Sequence, residues 1–169
     1  MLEKLRYLTA GESHGKGLLG IIDGVPANLE ISEDYILMQL QRRQRGYGRS
    51  NRMNIESDYP QLYCGVRQGK SLGGPIGVII ENLDYKNWTK EMSIINNDFS
   101  KKITLPRPGH ADLAGVKKFG FDDIRNVIER SSARETAMRV ALASVCRKLL
   151  EDLNIHLCSR VVQILNIKD

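Results

Sequence analysis

One long amphipathic segment limits the folds that this chain can adopt. Between Ser132 and Leu153, apolar residues recur at every fourth position, and a second apolar row runs beside the first. The first row contains Ala133, Ala137, Ala141, Val145, Leu149 and Leu153, and the second contains Met138, Leu142, Cys146 and Leu150. This spacing predicts a helix with a broad apolar face. Such a face requires burial within a layer of packed elements.

Short runs with strand character precede this helix, each bounded by Gly, Pro or Asn. They cover residues 5–9, 17–25, 61–66 and 75–83, and a last run covers residues 155–165. Residues 31–44 predict a second helix, with Ser32 as its N-cap and Ile36 and Leu40 on one face. Strands and helices that do not alternate regularly predict an α+β fold, and the absence of a linker predicts a single domain over residues 1–169.

The stretch 84–106 is polar and mixed, which is typical of an irregular connection or a mobile lid. No apolar run approaches the roughly 20 residues that span a bilayer, and the N-terminus lacks the layout of a signal peptide. We therefore expect a cytoplasmic protein with no membrane partner. The 3 cysteines are far apart, with no C-x-x-C pair and no neighbouring pair of histidines, so neither a disulfide framework nor a zinc site is expected.

Two glycine motifs suggest nucleotide binding but have the wrong surroundings. The G-x-G-x-x-G spacing from Gly15 to Gly20 must open a helix, yet Gly24 and Pro26 fall where that helix would continue. These residues therefore predict a buried strand followed by a turn. The segment 65–71, GVRQGKS, is one residue shorter than a phosphate-binding P-loop.

An arginine run predicts an anionic partner. Arg42, Arg43, Arg45, Arg49 and Arg52 follow one another with no acid between them. Such guanidinium groups repel one another unless water or an anion screens them, and their planar forks suit phosphate and carboxylate. The partner could be a phosphorylated metabolite or a nucleic acid, while a solvated surface run is the simplest alternative. Few aromatic residues, and basic density confined to one loop, argue against nucleic acid.

Two of the three histidines lie in settings that suit proton transfer. His14 follows Glu12 and Ser13 in a Gly-flanked loop, and His110 lies between Arg107 and Asp112. Imidazole titrates near neutral pH, so neighbouring charges can tune it for acid–base work. A purely structural role remains an alternative for each. The third histidine, His156, lies in the apolar run 155–165 and is expected to be structural.

The segment ERSSARET adds a possible anion site. Ser131 and Ser132 precede the long helix, so their hydroxyls and the first free backbone N–H groups could bind an anion, although ordinary capping needs none. Arg134 lies on the packed side of this helix with no acid partner evident, which favours a bound anion there. Together, these features predict an enzyme that acts on a phosphorylated, acidic metabolite.

Four segments in one order resemble signatures of chorismate synthase. They are GESHGKGLLGIIDGVP, RRQRGYGRSNRM, PRPGHADLAGVKKF and ERSSARETAMRVALAS. The resemblance implies a lyase that eliminates phosphate from 5-enolpyruvylshikimate 3-phosphate in a trans-1,4 sense to give chorismate. This is the final step of the shikimate pathway of aromatic amino acid biosynthesis. It also implies reduced FMN as cofactor, a homotetramer, and a β-α-β sandwich with helices layered between antiparallel sheets.

The same resemblance implies roles for individual residues. His14 would protonate the departing phosphate and His110 the reduced flavin. The substrate would be held by Ser13, Arg43, Arg49, Arg52, Arg107 and Arg134. FMN would contact Arg130, Ser131 and Ser132, and Arg43 and Arg49 would bind NADP where NADPH is the reductant.

Members of that family are longer than this chain, which resembles their N-terminal half. The C-terminal half, with much of the FMN site and an aspartate implicated in proton removal, would be missing, so catalysis by this chain alone is not assured. Two alternatives therefore stay open. One is a basic module that binds RNA or another polyanion, and the other is a non-catalytic half-domain that partners a full-length copy.

Overall fold

One antiparallel sheet and two long helices build the core. The structure is a computed structural model and describes residues 4–45, 55–95 and 102–168. In chain order, the elements are β1 (Arg6–Gly11), β2 (Gly17–Asp23), α1 (Glu33–Gln44), β3 (Pro60–Cys64), β4 (Val66–Arg67), β5 (Lys70–Ser71), β6 (Ile76–Glu81), a 3-10 helix (Leu83–Asn87), α2 (Asp112–Phe119), α3 (Arg125–Arg130), α4 (Glu135–Asp152), β7 (Gln163–Ile164) and β8 (Ile167–Lys168). The four-stranded sheet has the spatial order β1-β2-β6-β3.

Strand alternation gives this sheet one buried face. In β2, Leu18 and Ile22 are buried while Leu19 and Ile21 are exposed, as the two-residue period of a strand requires. Gly20 lies on the buried face, where a Cβ atom would overlap the side chain of Met138. The glycine therefore allows α4 to approach the sheet closely.

Helices α1 and α4 cover the buried face, and their contacts explain their positions. Ser32 caps α1 because its hydroxyl accepts a hydrogen bond from the Tyr35 N–H at 3.2 Å, as predicted. The Tyr35 hydroxyl donates to Glu151 of α4 at 2.9 Å. Burial and this carboxylate raise the pKa of Tyr35 to about 12. The core between sheet and helices comprises Leu18, Ile22, Val25, Leu29, Ile31, Ile36, Leu40, Ile76, Val78, Ile80, Ala137, Met138, Ala141, Leu142 and Val145.

The predicted long helix is confirmed, but it begins later than expected. It starts at Glu135 rather than Ser132, because Ala133 and Arg134 form a turn that leads into it. The middle of both apolar rows is buried, whereas Leu153 at the end is exposed. The α+β class, the four strands of the sheet and both long helices therefore agree with the sequence prediction.

The predicted strand at 155–165 is wrong. Residues 155–162 have no regular structure and are exposed, and only a short hairpin, β7–β8, follows them. His156 is accordingly exposed rather than held within a strand. Apolar composition suggests a strand here, but within the described residues this hairpin pairs only with itself.

Three further segments refine the sequence prediction. Residues 84–95 begin inside the 3-10 helix and continue as turns, while residues 96–101 lie outside the described residues. The sequence predicted no element at α2 or α3. Helix α2 ends at Phe119, and its C-cap residue Gly120 has a φ of 67°. No helix among the described residues is both long and apolar enough to cross a membrane.

Neither nucleotide-like motif opens a helix. The glycines from Gly15 to Gly20 run into β2, which pairs antiparallel with β1 and β6. The segment 65–71 forms the β4–β5 hairpin, whose turn contains Gln68 and Gly69, both with positive φ. The predicted strand after the glycines is thereby confirmed.

Candidate functional site

The loop between β1 and β2 presents Ser13 and His14. Asn82, which follows β6, holds this loop through its buried side chain: its carboxamide donates to the carbonyl of Gly15 at 2.8 Å and to that of Glu12 at 3.1 Å. Ser13 is itself buried. The end of the central sheet therefore determines where His14 lies.

Glu129 at the end of α3 binds the same loop from a second element. One of its carboxylate oxygens lies 2.9 Å from Nδ1 of His14, and the other accepts the His14 backbone N–H at 2.8 Å. The Glu129 carbonyl accepts the N–H of Ser13, also at 2.8 Å. Helix α3 thus fixes both the backbone and the ring of the histidine.

An aromatic and a cationic side chain complete this arrangement. The ring centroids of His14 and Trp88 are 3.9 Å apart, with the planes tilted by 31°. Arg125 lies over the Trp88 ring at 5.4 Å and is 3.6 Å from the Glu129 carboxylate. The His14 side chain keeps 19% of its surface exposed. It is therefore held in place yet remains accessible.

The protonation of Glu129 reflects these contacts. Burial by itself raises the pKa of this carboxyl group, but the hydrogen bonds from His14 and the charges of His14 and Arg125 outweigh it, so the pKa lies below its ordinary value. Glu129 is therefore ionised at neutral pH and acts only as a hydrogen-bond acceptor.

The two serines before α4 differ in their partners. The Ser132 hydroxyl donates to the Ser13 hydroxyl at 3.0 Å, which joins the start of α4 to the His14 loop. The Ser131 hydroxyl donates instead to the Val127 carbonyl within α3 at 2.7 Å. Of the two, it is therefore Ser132 that contacts the His14 loop directly.

The expected free N–H groups at the start of α4 are occupied, so that part of the anion-site prediction is wrong. The N–H groups of Glu135, Thr136 and Ala137 each bond to a carbonyl three residues earlier, at 3.0–3.2 Å. The Arg134 N–H donates to the Ser132 hydroxyl at 3.1 Å. The turn that precedes the helix thus satisfies the donors that an anion would have used.

Arg134 is buried, as predicted, but it has acid partners, contrary to expectation. Its side chain is 6% exposed and forms an ion pair with Asp58, while Glu56 lies 3.7 Å away. Its Nε donates to the Asn82 carboxamide oxygen at 2.8 Å. The sequence predicted a bound anion at Arg134 because no acid partner was evident. That argument fails, because segment 55–59 supplies two carboxylates.

Arg43 contacts the same acid cluster but keeps 15% of its side chain exposed. It donates to the Ala133 carbonyl at 2.9 Å and to the Thr136 hydroxyl at 3.0 Å, and it lies 3.4 Å from Asp58. The arginine run thus has a counter-charge that its own sequence does not contain. The other predicted members, Arg49 and Arg52, lie outside the described residues.

The Arg130 side chain contacts strand β1 next to the His14 loop. Its guanidinium donates to the carbonyl of Thr9 at 2.9 Å and to that of Gly11 at 3.3 Å, while 45% of its side chain stays exposed. The structure therefore brings Ser13, His14, Arg130 and Ser132 together around one loop.

Arg107 and His110 form a separate group before α2. The Arg107 guanidinium donates two hydrogen bonds to Asp112, at 2.9 and 3.0 Å, and its backbone N–H donates a third at 3.0 Å. These hydrogen bonds lower the pKa of Asp112 to about 2. His110 is exposed. Among the described residues, no hydrogen bond joins this group to the His14 loop.

Two cavities lie away from the histidine. One of about 820 Å³ lies between the β1–β2 edge and α4 and is mainly apolar, and one of about 410 Å³ lies between α1 and α4 beside Arg43. Because neither wall contains His14 or Ser132, we define the candidate site by the polar contacts and not by a cavity. No group of His, Cys, Asp or Glu side chains in the described ranges is arranged to hold a metal.

Sequence reasoning missed the supporting residues Glu129, Asn82 and Trp88. Glu129 lies inside the quoted segment ERSSARET, and its i, i+4 spacing from Arg125 was an available signal of a helical ion pair. Asn82 and Trp88 carry no local signal, since their partners are distant in sequence.

Comparison with known proteins identifies relatives along nearly the whole chain. A family model described as Chorismate synthase matches residues 5–169. The chorismate synthase of Streptococcus sanguinis is 54% identical over 162 residues, which cover 94% of this chain and 42% of that protein. The chorismate synthase of Chlorobium luteolum is 52% identical over 167 residues, covering 98% of this chain and 42% of that protein.

A solved structure agrees with these relatives. The protein described as "Crystal Structure of Chorismate Synthase" superposes with a TM-score of 0.70 at 43% identity, covering 92% of this chain and 37% of the solved chain. The chain therefore spans about two fifths of the length of the proteins that it matches.

Proposed function

Because this chain belongs to the chorismate synthase family, we propose that it forms part of an enzyme that eliminates phosphate from 5-enolpyruvylshikimate 3-phosphate to give chorismate. The observation that carries the proposal is the Ser13–His14 loop, which α3 and β6 hold in place and which Arg130 and Ser132 flank. A leaving phosphate needs a proton and a neutralising charge, and these residues offer both.

His14 is proposed to supply the proton. Nδ1 is engaged by Glu129, so Nε2 is the ring atom that can exchange a proton with a ligand. The imidazole is partly exposed and held by Trp88, as proton transfer at a fixed position requires.

Arginines are proposed to bind the anionic groups of the substrate. Arg130 is close to the histidine and half exposed, and Arg43, Arg49 and Arg52 are proposed to contact the phosphate and carboxylates. Arg134 would contact the substrate only if a substrate carboxylate replaced Asp58 or Glu56 as its partner.

Arg107 and His110 are proposed to join the site from the loop before α2. Asp112 already holds Arg107 in a defined orientation, and the exposure of His110 leaves its imidazole available for the proposed proton transfer to the flavin.

Arg130, one of the residues proposed to contact FMN, is exposed and cationic, which suits an anionic group. The Ser131 and Ser132 hydroxyls already donate to the Val127 carbonyl and the Ser13 hydroxyl, so each would donate to the cofactor only after leaving that acceptor. Ser132 would hold the cofactor close to Ser13 and His14. Reduced FMN would supply the electronic chemistry of an elimination that involves no net redox change. The proposal includes a cytoplasmic homotetramer and NADPH as a reductant bound through Arg43 and Arg49.

A chimaera tests this function directly. The 162 matching residues of the Streptococcus sanguinis enzyme are replaced by those of this chain, and chorismate is measured with anaerobically reduced FMN. We expect turnover from the chimaera and a loss of about 10²-fold or more for His14→Ala. His156→Ala, a change in the exposed segment 155–162, serves as the matched control. A folded chimaera that makes no chorismate would refute the proposal.

The structure does not favour the polyanion-binding alternative. Arg43, one of the described residues of the arginine run, makes its contacts with Asp58, Ala133 and Thr136 inside the protein. Salt-sensitive RNA binding that ignores the phosphorylated substrate would reverse this preference.

A further inference from the structure

Glu129 contacts the His14 loop in a way that constrains the imidazole's protons. Both of its carboxylate oxygens face the ring Nδ1, at 2.9 and 3.1 Å, and the more distant one also accepts the backbone N–H of the same residue at 2.8 Å. The side chain is 4% exposed, so water does not replace these contacts easily.

An ionised carboxylate has no proton to donate. Nδ1 must therefore be the donor in its contact with Glu129, and a neutral His14 carries its proton on Nδ1 and a lone pair on Nε2. Two neighbouring side chains contact the pair. Trp88 lies against the imidazole, and Arg125 faces both the carboxylate and the Trp88 ring.

We propose that Glu129 is a positioning residue that fixes His14 in the Nδ1–H tautomer and leaves Nε2 as the atom that exchanges protons. This deepens the proposed function, because a histidine that protonates a leaving phosphate must present one defined nitrogen to it. The tautomer itself follows from the contacts of this chain and can be measured without catalysis.

Glu129→Gln provides a sharp test because an amide has one acceptor and one donor end. The His14 backbone N–H can only donate, so it selects the amide oxygen and leaves the NH₂ group facing Nδ1. This NH₂ group takes the position 2.9 Å from Nδ1, whereas the amide oxygen lies 3.1 Å from it and is already engaged by the backbone. We therefore expect Nδ1 to accept from the nearer NH₂ group and the proton to move to Nε2. The substitution keeps the shape of the side chain and the anchor on the loop backbone, yet it reverses the tautomer.

Long-range ¹H–¹⁵N correlation spectra of the ¹⁵N-labelled chain distinguish the tautomers. Spectra are recorded at about pH 8, where imidazole is mainly neutral, and the His14 signals are assigned by their loss in His14→Gln. We expect the Nδ1–H pattern in the unmodified chain and the Nε2–H pattern in Glu129→Gln. The matched control is Glu135→Gln, which removes a carboxylate that binds Thr9 and Arg139 and should leave His14 unchanged.

An Nε2–H pattern in the unmodified chain overturns the inference, as does an Nδ1–H pattern that persists in a folded Glu129→Gln variant. If that variant does not fold, the unmodified chain still decides the tautomer. In the chimaera, Glu129→Gln should lower kcat at least about tenfold with little change in KM. An inactive chimaera with an Nδ1–H histidine contradicts the proposed function alone, and an active one with an Nε2–H histidine contradicts the positioning role alone.

Discussion

Two polar clusters hold the Ser13–His14 loop, and they differ in their access to solvent. The buried cluster contains Arg134, Asp58, Glu56 and Asn82, all of which are nearly inaccessible. The histidine cluster contains His14, Glu129, Arg125 and Trp88, in which Glu129 is buried but the His14 and Arg125 side chains each keep 19% of their surface exposed. Both clusters combine arginine with carboxylates.

The difference in burial indicates that the buried cluster supports the fold and that the histidine cluster is suited to proton transfer. A buried guanidinium must keep its partners, because an unpaired charge in the interior is unfavourable by several kcal/mol. A partly exposed imidazole can exchange a proton with a ligand while its carboxylate partner stays in place. Sequence reasoning treats Arg134 and His14 alike as ligand contacts, whereas the structure gives them different surroundings.

The largest expected effect is on the buried cluster. Arg134→Ala leaves Asp58 and Glu56 without their central cation, so we expect a loss of about 3–5 kcal/mol in the free energy of unfolding, measured in urea. Arg139→Ala is the control, because its pair with Glu135 is exposed and should contribute under about 1 kcal/mol. A loss for Arg134→Ala as small as the control's would show that Arg134 is free to serve a ligand.

Asn82→Ala should have the next largest effect, since it removes the connection between the buried cluster and the loop. Both ends of this buried carboxamide are bonded, and its loss removes the donor to the Gly15 carbonyl and the acceptor of the Arg134 Nε–H. We expect about 1–3 kcal/mol of destabilisation and faster amide hydrogen exchange at His14. The exposed Asn87→Ala is the comparison, and unchanged exchange would mean that Glu129 alone holds the loop.

Glu129→Gln should be milder, at about 1 kcal/mol, because the amide retains a hydrogen bond to the loop. Its effect should depend on pH. Since the pKa of Glu129 is lowered in the folded state, the stability from its charge is present above its ordinary value of 4.5 and is lost as the pH falls through the lower folded value. The difference in the free energy of unfolding between Glu129→Gln and the unmodified chain should therefore be smaller at about pH 3 than at about pH 5. A constant difference would argue against an ionised Glu129.

The smallest effect is expected for Asp112→Asn: Asp112 is itself buried, but the substitution keeps its shape, and its partner Arg107 keeps 44% of its side chain exposed and can be solvated. The Asp112 pKa of about 2 lies below its ordinary 3.8, so its contribution should persist at mild acidity and disappear only as the pH falls through about 2. Acid unfolding followed by circular dichroism compares the two chains. A difference in stability that disappears already near neutral pH would contradict this assignment.

Local patterns were sufficient for the core. Short apolar runs bounded by Gly, Pro or Asn located β2 and β6, and the spacing of apolar residues along one face located α1 and α4. The short helices α2 and α3 depend on tertiary contact instead: a Cβ atom on Gly115 of α2 would overlap Val127 of α3. No local period reveals such a contact.

The sequence predicted the loop residues of the site but not the carboxylates that bind its charged side chains. Loop chemistry indicated Ser13, His14 and Ser132, and the fold brings them together. The acid that pairs with Arg134 is 76 residues away, and the carboxylate that binds His14 is 115 residues away. Charge pairing over such separations depends on the packing of the sheet against α4 and cannot be inferred from neighbouring residues.

The contact between Arg130 and β1 also affects how the sheet can associate. Strand β1 lies at the edge of the sheet, where free carbonyls would accept another strand, but the guanidinium occupies those of Thr9 and Gly11. At the opposite end of β1, where Leu8 is 75% exposed, no side chain of the described residues donates to the strand's carbonyls in this way. Any strand added here must therefore pair in a register confined to the first half of β1, so one arginine side chain excludes a set of aggregation geometries.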